Sequence, residues 1–513
     1  MQTQLSVPKR CLWALPLLAV ASLLAVLGSG CYQVGVENTW IRVQNMGSAD
    51  ANIELKYMKE DGTIVATEAC PTWGVCPAIA PGAALTFSES QDPALPQGFL
   101  GSAVITSDQP IAVLLGRDSD RGGGFSTDGS TVALNAGSGQ LFLPLVSSRD
   151  GPGQNWDSRF AVENLGDSTA CATLVYLSNT ADAEVRQDPD EGASPSPTPS
   201  PGCPKGGIAI PPGGSLLRSW VNMGVGPYFT GSVRVDLQTN GQNVPASKQV
   251  VVASADVFSS SSKHFASYAG FSASDMGTSL LLPLMERQAN GQWSTDFEIM
   301  NSDPTQPATV TLRIDGWDSS QNPPQYIVKQ NTFQLRSSRM CFQDSNDSSN
   351  CLAPGDALPL NFTDGVGVIT SDKPVGVVVS RSSNSSDTYV GYRSVRLDAA
   401  SQKLYLPLVN KNSPTAASRT GWNSWVRVLV ADGGSANLTV RYISPALPGG
   451  ESSYTIPIFR TVTLIQPWDG AVPDGFTGSA ILESDRPIVA LGDVTVGNSP
   501  GDMDLMYNGV VGP

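Results

Sequence analysis

The stretch GFLGSAVITSDQPIAVL at residues 98–114 returns near the end of the chain as GFTGSAILESDRPIVAL at residues 475–491. A third copy, GVGVITSDKPVGVVV, occupies residues 365–379, and residues 228–257 hold a weaker copy with a longer central loop. Chance does not place one phrase four times along a chain. The sequence therefore contains internal repeats.

Other phrases recur around this one in a constant order. LFLPLV, LLLPLM and LYLPLV start at Leu141, Leu280 and Leu404, and a tryptophan and an alternating segment follow each of them. A second alternating segment comes next, as ANIELKY, CATLVYL, ATVTLRI and ANLTVRY. The shared order predicts four tandem domains after an N-terminal segment at residues 1–31. We place these repeats 1 to 4 at residues 32–138, 139–277, 278–401 and 402–513.

Two further phrases complete the pattern. A Pro-Gly turn leads into an apolar strand in APGAALTF, PPGGSLL and APGDALPL, whereas repeat 4 has YTIPIFRTVTLI instead. Repeats 2 to 4 end on Tyr-x-Gly, at Tyr268, Tyr389 and Tyr507. We expect these tyrosines to occupy equivalent places.

The alternation of apolar and polar residues decides the fold class. In ANIELKY, residues Ile53, Leu55 and Tyr57 share one face, and the polar residues between them share the other. A period of two is typical of a strand with one face on a core and the other in water. With 51 glycines and 38 prolines to form turns, the sequence predicts an all-β chain of four antiparallel β-sandwich domains of Ig-like size.

The repeated phrase itself is typical of a hairpin. SAVIT and PIAVL predict two strands, and SDQP predicts the turn, in which Ser107 and Asp108 hydrogen-bond to the backbone. Asp108, Asp372 and Asp485 recur at this place. We therefore interpret them as turn residues and not as catalytic acids.

The N-terminus is typical of an export signal, because Lys9 and Arg10 precede the apolar run LWALPLLAVASLLAVL and the small residues GSGC. LGSGC resembles the lipobox of bacterial lipoproteins, which predicts Cys31 as a lipid-attachment site. Cleavage without lipid and an uncleaved membrane anchor are the alternatives. Every alternative places the rest of the chain outside the cytoplasm.

Apart from Cys11 in the signal and Cys31, the chain has six cysteines, two in each of repeats 1 to 3 and none in repeat 4. The predicted disulfides join Cys70 with Cys76, Cys171 with Cys203, and Cys341 with Cys351, which leaves Cys31 as the odd thiol. A Pro/Ser-rich segment at residues 188–204 predicts a protruding loop inside repeat 2. The connections between repeats are short, which favours a semi-rigid rod.

The chain offers few groups for catalysis. His264 is its only histidine, and no nucleophile-elbow, zinc-protease, phosphate-loop or dinucleotide motif is present. Asp118, Asp120 and the segment at residues 344–350 are rich in oxygen ligands but lack the spacing of a calcium loop. We therefore predict no enzyme activity, no catalytic residues, no cofactor and no metal site. The net charge of −15 argues against nucleic acid as a partner.

Trp156, Trp293 and Trp422 occupy one equivalent position in repeats 2 to 4. Exposed tryptophans at regular spacing could stack on the sugars of a ligand. Alternatively, each ring covers the open end of its own core, which is the interpretation that we favour.

The repeated phrases resemble those of tandem β-sandwich repeats in secreted and surface-attached bacterial proteins. The resemblance implies an exported, membrane-anchored protein of the bacterial cell surface, with an adhesive, spacer or envelope-building role. Our hypothesis is a non-enzymatic surface rod with the membrane, surface glycans or envelope proteins as partners. A carbohydrate-binding protein that uses the repeated tryptophans is the alternative, followed by a hydrolase with an unrecognised acidic site.

Overall fold

The computed structural model describes most of the chain from residue 36 onward. The described ranges are 36–71, 76–88, 94–96, 98–120, 125–132, 139–150, 156–179, 183–188, 203, 207–220, 222–226, 228–239, 242–243, 251–259, 264–341, 351–352, 357–386, 388–413, 421–496 and 504–512. Strands and turns dominate, with short 3-10 turns at Leu397–Ala399, Pro448–Gly450 and Gln466–Trp468. Over these ranges, no helix has the length and apolar character that crossing a membrane requires. The all-β prediction is confirmed.

The strands of repeats 1 and 2 come first. Repeat 1 contains β1 (Val36–Asn45), β2 (Ile53–Met58), β3 (Ile64–Cys70), β4 (Ala84–Ser88), β5 (Ser102–Ser107), β6 (Ile111–Asp120) and β7 (Phe125–Val132). Repeat 2 contains β8 (Gln140–Asp150), β9 (Trp156–Asn164), β10 (Ala170–Ser178), β11 (Ala183–Asp188), β12 (Ile208–Ile210), β13 (Ser215–Ser219), β14 (Phe229–Thr239), β15 (Gln242–Asn243), β16 (Val251–Ser259), β17 (Phe265–Ala269) and β18 (Phe271–Ser272).

The strands of repeats 3 and 4 follow. Repeat 3 contains β19 (Gly277–Arg287), β20 (Trp293–Asn301), β21 (Ala308–Asp318), β22 (Gln325–Leu335), β23 (Ser338–Cys341), β24 (Phe362–Ser383), β25 (Tyr389–Arg393) and β26 (Val395–Arg396). Repeat 4 contains β27 (Ser401–Lys411), β28 (Trp422–Val430), β29 (Ser435–Ile443), β30 (Glu451–Phe459), β31 (Thr461–Ile465), β32 (Phe476–Val496), β33 (Asp504–Asn508) and β34 (Val510–Val511).

Two antiparallel layers recur in every repeat. In repeat 1 they are separate sheets, β3-β2-β5 and β4-β1-β6-β7, whose inward side chains enclose one core around Val43, Leu55 and Phe87. In repeats 3 and 4 the same two layers are joined, because the long strands β24 and β32 each pair in both of them. Every described pairing between named strands joins strands of one repeat. This arrangement is consistent with β-sandwiches.

The repeated phrase crosses from one layer to the other, so the hairpin prediction is wrong. β5 pairs with β2, whereas β6 pairs with β1 and β7, and β5 and β6 do not pair with each other. In repeats 3 and 4 the two halves form one uninterrupted strand. A strand–turn–strand pattern has the same local signature in a hairpin and in a crossing, because both need two apolar runs and a polar bend.

The Ser-Asp pair in this phrase fastens the crossing point. The serine oxygen accepts a hydrogen bond from the backbone N–H two residues later, in the pairs Ser107–Gln109, Ser371–Lys373 and Ser484–Arg486. The aspartate instead accepts from a backbone N–H at the neighbouring strand, in the pairs Asp108–Asn52, Asp372–Thr309 and Asp485–Asn437. This bond lowers the pKa of Asp108. Serine has the predicted turn role, and aspartate ties two segments together.

A buried tyrosine binds the backbone of the LPL phrase in repeats 2 to 4. The hydroxyl groups donate to the carbonyl oxygen of the second leucine, in the pairs Tyr268–Leu145, Tyr392–Leu284 and Tyr507–Leu408. The equivalent residue of repeat 3 is therefore Tyr392, and the assignment of Tyr389 to this place is wrong. The sequence pattern was misleading because both tyrosines lie on one strand, and only Tyr389 has the Tyr-x-Gly spacing of Tyr268 and Tyr507.

The strand that follows the Pro-Gly turn is equivalent only in repeats 1 and 2. β4 pairs with β1, and β13 pairs with β9, as the repeat requires. In repeat 3 the corresponding strand is β23, which pairs with β20, and the described part of APGDALPL at residues 357–360 lies outside any strand. The intervening strand β22 accounts for this difference, because it returns along β21 before β23 begins.

The three predicted disulfides are present. They join Cys70 to Cys76, Cys171 to Cys203, and Cys341 to Cys351, with Cα–Cα distances of 5.3, 5.6 and 5.4 Å. Cys341 ends β23, whereas Cys70 ends β3. The bridge of repeat 3 is therefore attached to a different strand from that of repeat 1.

The four repeats pack in a closed ring. β7 contacts β17 and β33, and β25 contacts the same two strands. Each of these four strands pairs with the second half of the repeated phrase in its own repeat, so one equivalent strand of every repeat lies at a common centre. Repeat 1 also contacts repeat 4 through β1, β6 and β27. A linear rod does not describe this structure. Short connections limit the distance between successive repeats, but they do not specify the angle between them.

We expect Tyr392→Phe to lower the free energy of unfolding by about 1–3 kcal/mol, because it leaves the buried backbone of Leu284 without its partner. Chemical denaturation measures this change. The control is Tyr228→Phe, whose ring is 66% exposed and which we expect to change stability by less than about 0.5 kcal/mol. Equal effects of the two variants would contradict a structural role for the Tyr392 hydroxyl.

Candidate functional site at the repeat boundaries

The three tryptophans of the predicted stacking surface are half-buried against other side chains. The Trp156 ring lies 4.4 Å from the Tyr389 ring and stacks on His264 at 5.6 Å between centroids. The guanidinium carbon of Arg381 lies 3.6 Å from the centroid of Trp293, and Trp422 packs on the core of repeat 4. These contacts favour the interpretation that the rings cover cores. They also place His264 against aromatic rings rather than at an open surface.

The most exposed aromatic rings lie elsewhere. Trp468 is 82% exposed and Phe459 is 76% exposed, both in repeat 4. In repeat 3, Trp317 and Tyr326 are each 43% exposed and meet edge to face at 5.3 Å. A signal for Trp317 existed in the sequence, because it is out of phase with the core residues Val310, Leu312 and Ile314 of the same strand.

The centre of the ring holds a small pocket where repeats 2, 3 and 4 meet. The tyrosines that bind the LPL phrase line it, together with Arg393 and Asn508. The Asn508 side chain accepts from the Arg393 backbone N–H at 3.1 Å and donates to its carbonyl oxygen at 2.9 Å. The backbone of repeat 3 is thereby fastened to repeat 4 beside the pocket.

Hydrogen bonds between repeats 1 and 4 close the ring. Arg42 is buried and donates to the carbonyl oxygens of Pro407 and Gly478. Desolvation lowers the pKa of Arg42 to about 10. Tyr405 donates to the Met46 carbonyl at 3.1 Å, and Ser479 to that of Gly82 at 2.7 Å. Glycine suits position 82 because its φ of 75° is in the left-handed region, and a Cβ there would also meet the end of the Ile443 side chain.

The boundary between repeats 1 and 2 contains a buried ion pair. Asp256 of β16 accepts from Arg117 of repeat 1 and from Arg159 of its own repeat, the latter at 2.5 Å. Glu163 lies near the same boundary, opposite Ser215, whose backbone N–H donates to the Glu60 carbonyl oxygen of repeat 1. Desolvation raises the pKa of Glu163 to about 7. The negative charge of Asp256 is thus compensated by two arginines, whereas no described arginine or lysine forms an ion pair with Glu163.

Ion pairs also join repeats 3 and 4. Arg427 donates to the Asp364 carboxylate at 2.7 Å and to its carbonyl oxygen at 3.0 Å. Arg460 binds the buried carboxylate of Asp315. An apolar contact accompanies them, because Leu491 and Met506 of repeat 4 join the core of repeat 3. Repeats 3 and 4 therefore share both polar and apolar contacts.

The remaining candidate residues fall outside the described part of the chain. These are Cys31, the segment at residues 344–350, and the side chains of Asp118 and Asp120. Over the described ranges, no group of three or more His, Cys, Asp or Glu side chains is placed to hold a metal ion.

No protein-family model matches this chain, and no curated protein matches it. The contacts of its own residues therefore carry the functional argument. They show that the residues shared by the repeats mainly bind backbone within a repeat, whereas the residues that differ form the boundaries.

We expect Arg42→Met to loosen the contact between repeats 1 and 4, because it removes the donors to Pro407 and Gly478 while keeping an apolar stem in the interface. The cost should be about 1–3 kcal/mol. Faster amide exchange in β27 and at the start of β32, together with a larger radius in X-ray scattering, measures the effect. The matched control is Arg486→Met, whose exposed arginine pairs with Asp432 inside repeat 4. Unchanged exchange in Arg42→Met would contradict this role.

Proposed function

We propose that this chain is a non-enzymatic, exported protein of the bacterial cell surface. Its four Ig-like β-sandwich domains form one compact scaffold that acts in adhesion or in building the envelope. The ring replaces the rod of the original hypothesis, because the first and last repeats are in contact. A compact body suits the display of loops close to the membrane.

The use of the repeated polar residues carries this proposal. The aspartates of the crossing phrase bind backbone N–H groups, and the buried tyrosines bind the LPL backbone. Asn45 and Asn164, each two residues before a glycine, likewise donate to nearby carbonyl oxygens, and so does Asn301 at the corresponding end of its strand. Groups that are committed to backbone hydrogen bonds serve folding. Their repetition supports selection for a scaffold rather than for a repeated catalytic site.

Export and anchoring rest on sequence features and on the disulfides. Three disulfides suit an oxidising compartment. In this proposal Cys31 carries the lipid, the membrane is the first partner, and surface glycans or envelope proteins are the second. The acidic surface keeps the scaffold away from anionic lipid headgroups beyond its anchor.

We expect Cys31→Ala to move the protein from the membrane fraction to the soluble exported fraction. The acyl chains on Cys31 supply most of the membrane affinity, at about 0.8 kcal/mol for each CH2 group that is buried in the bilayer. Fractionation with an immunoblot measures the change, and metabolic labelling with a fatty acid shows the lipid. The control is Cys11→Ala, which keeps the lipobox-like stretch.

A wild-type chain that labels with fatty acid and is cleaved by protease added to intact cells would support the proposal. Loss of cell attachment or of envelope integrity after gene deletion should be reproduced by Cys31→Ala. A chain that stays in the cytoplasm would contradict the location. Normal attachment and envelope integrity in the deletion strain would contradict the role.

A further inference from the structure

Two aspartates lie side by side at the boundary between repeats 3 and 4. Asp493 belongs to the crossing strand β32 and Asp504 to β33, and their side chains are 0% and 2% exposed. Asp493 lies opposite Met506 and Asp504 lies opposite Thr495, so the two side chains are diagonal neighbours on one face of the sheet. Both carboxyl oxygens of Asp493 and one of Asp504 are buried without a hydrogen-bond partner, and a proton held between the two carboxyl groups supplies one. The pair is closed to solvent and to a substrate, so it does not provide the acidic site of a hydrolase.

The second acid is specific to repeat 4. Asp504 lies three residues before Tyr507, and the same place is taken by Phe265 before Tyr268 and by Tyr389 before Tyr392. A buried carboxyl group thus stands where the equivalent strands have an aromatic ring. Burial of a carboxyl group costs free energy unless it is paired or neutral, so this replacement needs a local reason.

The surrounding charges come mainly from repeat 3. Arg381 on β24 attracts both aspartates, but it also binds Glu286 at 2.7 Å. Trp293 and Trp425 lie against the Arg381 guanidinium. From β33 itself, Met506 lies opposite Asp493, whereas Tyr507 is on the other face of the sheet; burial, and to a smaller extent the charge of Asp493, raises the pKa of the Tyr507 hydroxyl. β7 packs on β33 as well, and its side chains lie outside the described residues. Three acids therefore share one cation.

The equivalent boundary between repeats 1 and 2 has a different balance of acidic and basic side chains. Asp256 and Asp493 occupy equivalent positions, because each directly follows the residue that pairs with the buried tyrosine of its repeat. Asp256 binds two arginines, Arg117 and Arg159. In repeat 4 the place of Arg159 is taken by Trp425, because these residues lie opposite Asp256 and Asp493. One boundary has an acid with two cations, and the other has two acids beside a shared cation.

We propose that the boundary between repeats 3 and 4 is a pH-sensitive contact, held by a proton shared between Asp493 and Asp504 and loosened when that proton is lost. The boundary between repeats 1 and 2 uses a permanent ion pair at the same place. The ring thus has one contact that responds to the pH of its surroundings and a matched contact at Asp256 that does not. This inference does not depend on the proposed adhesive or structural role.

The sign of the effect follows from the direction of the pKa shifts. Desolvation, followed by the charge of Asp504, raises the pKa of Asp493 well above its usual range, and desolvation raises that of Asp504 to about 7. The folded state therefore binds more protons than the unfolded chain above about pH 4. Stability then falls as the pH rises from about 4 through 7 and beyond, until the folded pair is ionised.

The test compares thermal unfolding of the full exported chain between pH 5 and pH 9. We expect the wild-type midpoint to fall by at least about 5 °C over this range. Asp504→Asn keeps the shape and a hydrogen-bond donor but cannot ionise, so its midpoint should fall less. Glu163→Gln removes the carboxyl group at the boundary between repeats 1 and 2 whose pKa is also raised. This variant therefore measures how much Glu163 contributes to the pH dependence of the midpoint. Infrared absorption of protonated carboxyl groups near neutral pH should also weaken in Asp504→Asn.

Asp256→Asn is the matched control at the equivalent place. We expect it to lower the midpoint at every pH, because Arg117 and Arg159 lose their counter-charge, and to leave the slope against pH unchanged. The proposal would be overturned if the midpoint of Asp504→Asn depended on pH as in the wild type while Glu163→Gln lost that dependence. A uniform loss of stability in Asp504→Asn at all pH values would overturn it as well.

Discussion

The fold depends on a segment of chain that serves both layers of a repeat, and in repeats 3 and 4 this segment is one continuous strand. Each crossing strand pairs in its first half with one layer and in its second half with the other, so its apolar residues face a common core from both sides. The bend between the halves exposes backbone donors that need partners. The serine of the Ser-Asp pair accepts from one of these donors, and the aspartate ties the bend to a backbone N–H at the neighbouring strand.

The boundaries show how similar units can meet in different ways. Leu114, Val378 and Leu491 each join the core of a neighbouring repeat. Val378 and Leu491 lie one residue before the position that pairs with the buried tyrosine. Leu114 lies opposite Arg42, as Leu491 lies opposite Arg427. This shared apolar contact gives the ring its common geometry. The polar contacts around it vary. They are hydrogen bonds from Arg42 to carbonyl oxygens in one case, the ion pair of Asp256 in another, and the two buried carboxyl groups of repeat 4 in a third. Variation there changes the chemistry of a boundary without changing the arrangement.

Local patterns predicted the elements well and their partners poorly. Ile53, Leu55 and Tyr57 face a core as the period of two required, and the cysteine positions predicted all three bridges. The hairpin prediction failed because alternation reports which face is buried and not which strand lies alongside. Tyr389 was assigned in place of Tyr392 because only Tyr389 has a glycine two residues later, and this spacing does not report which hydroxyl reaches the LPL backbone. The pairing of Asp493 with Asp504 had no sequence signal, because the two residues are joined only by strand pairing.

The sequence by itself determined the class of structure, the repeat, the disulfide pairs and the acidic surface, because these follow from composition, period and order along the chain. Only the tertiary structure decided that the repeats close on themselves and that acids and cations of different repeats meet. Those facts depend on the angle at which consecutive units pack. That angle results from many weak contacts between distant residues, such as Arg42 with Gly478, which no local pattern records.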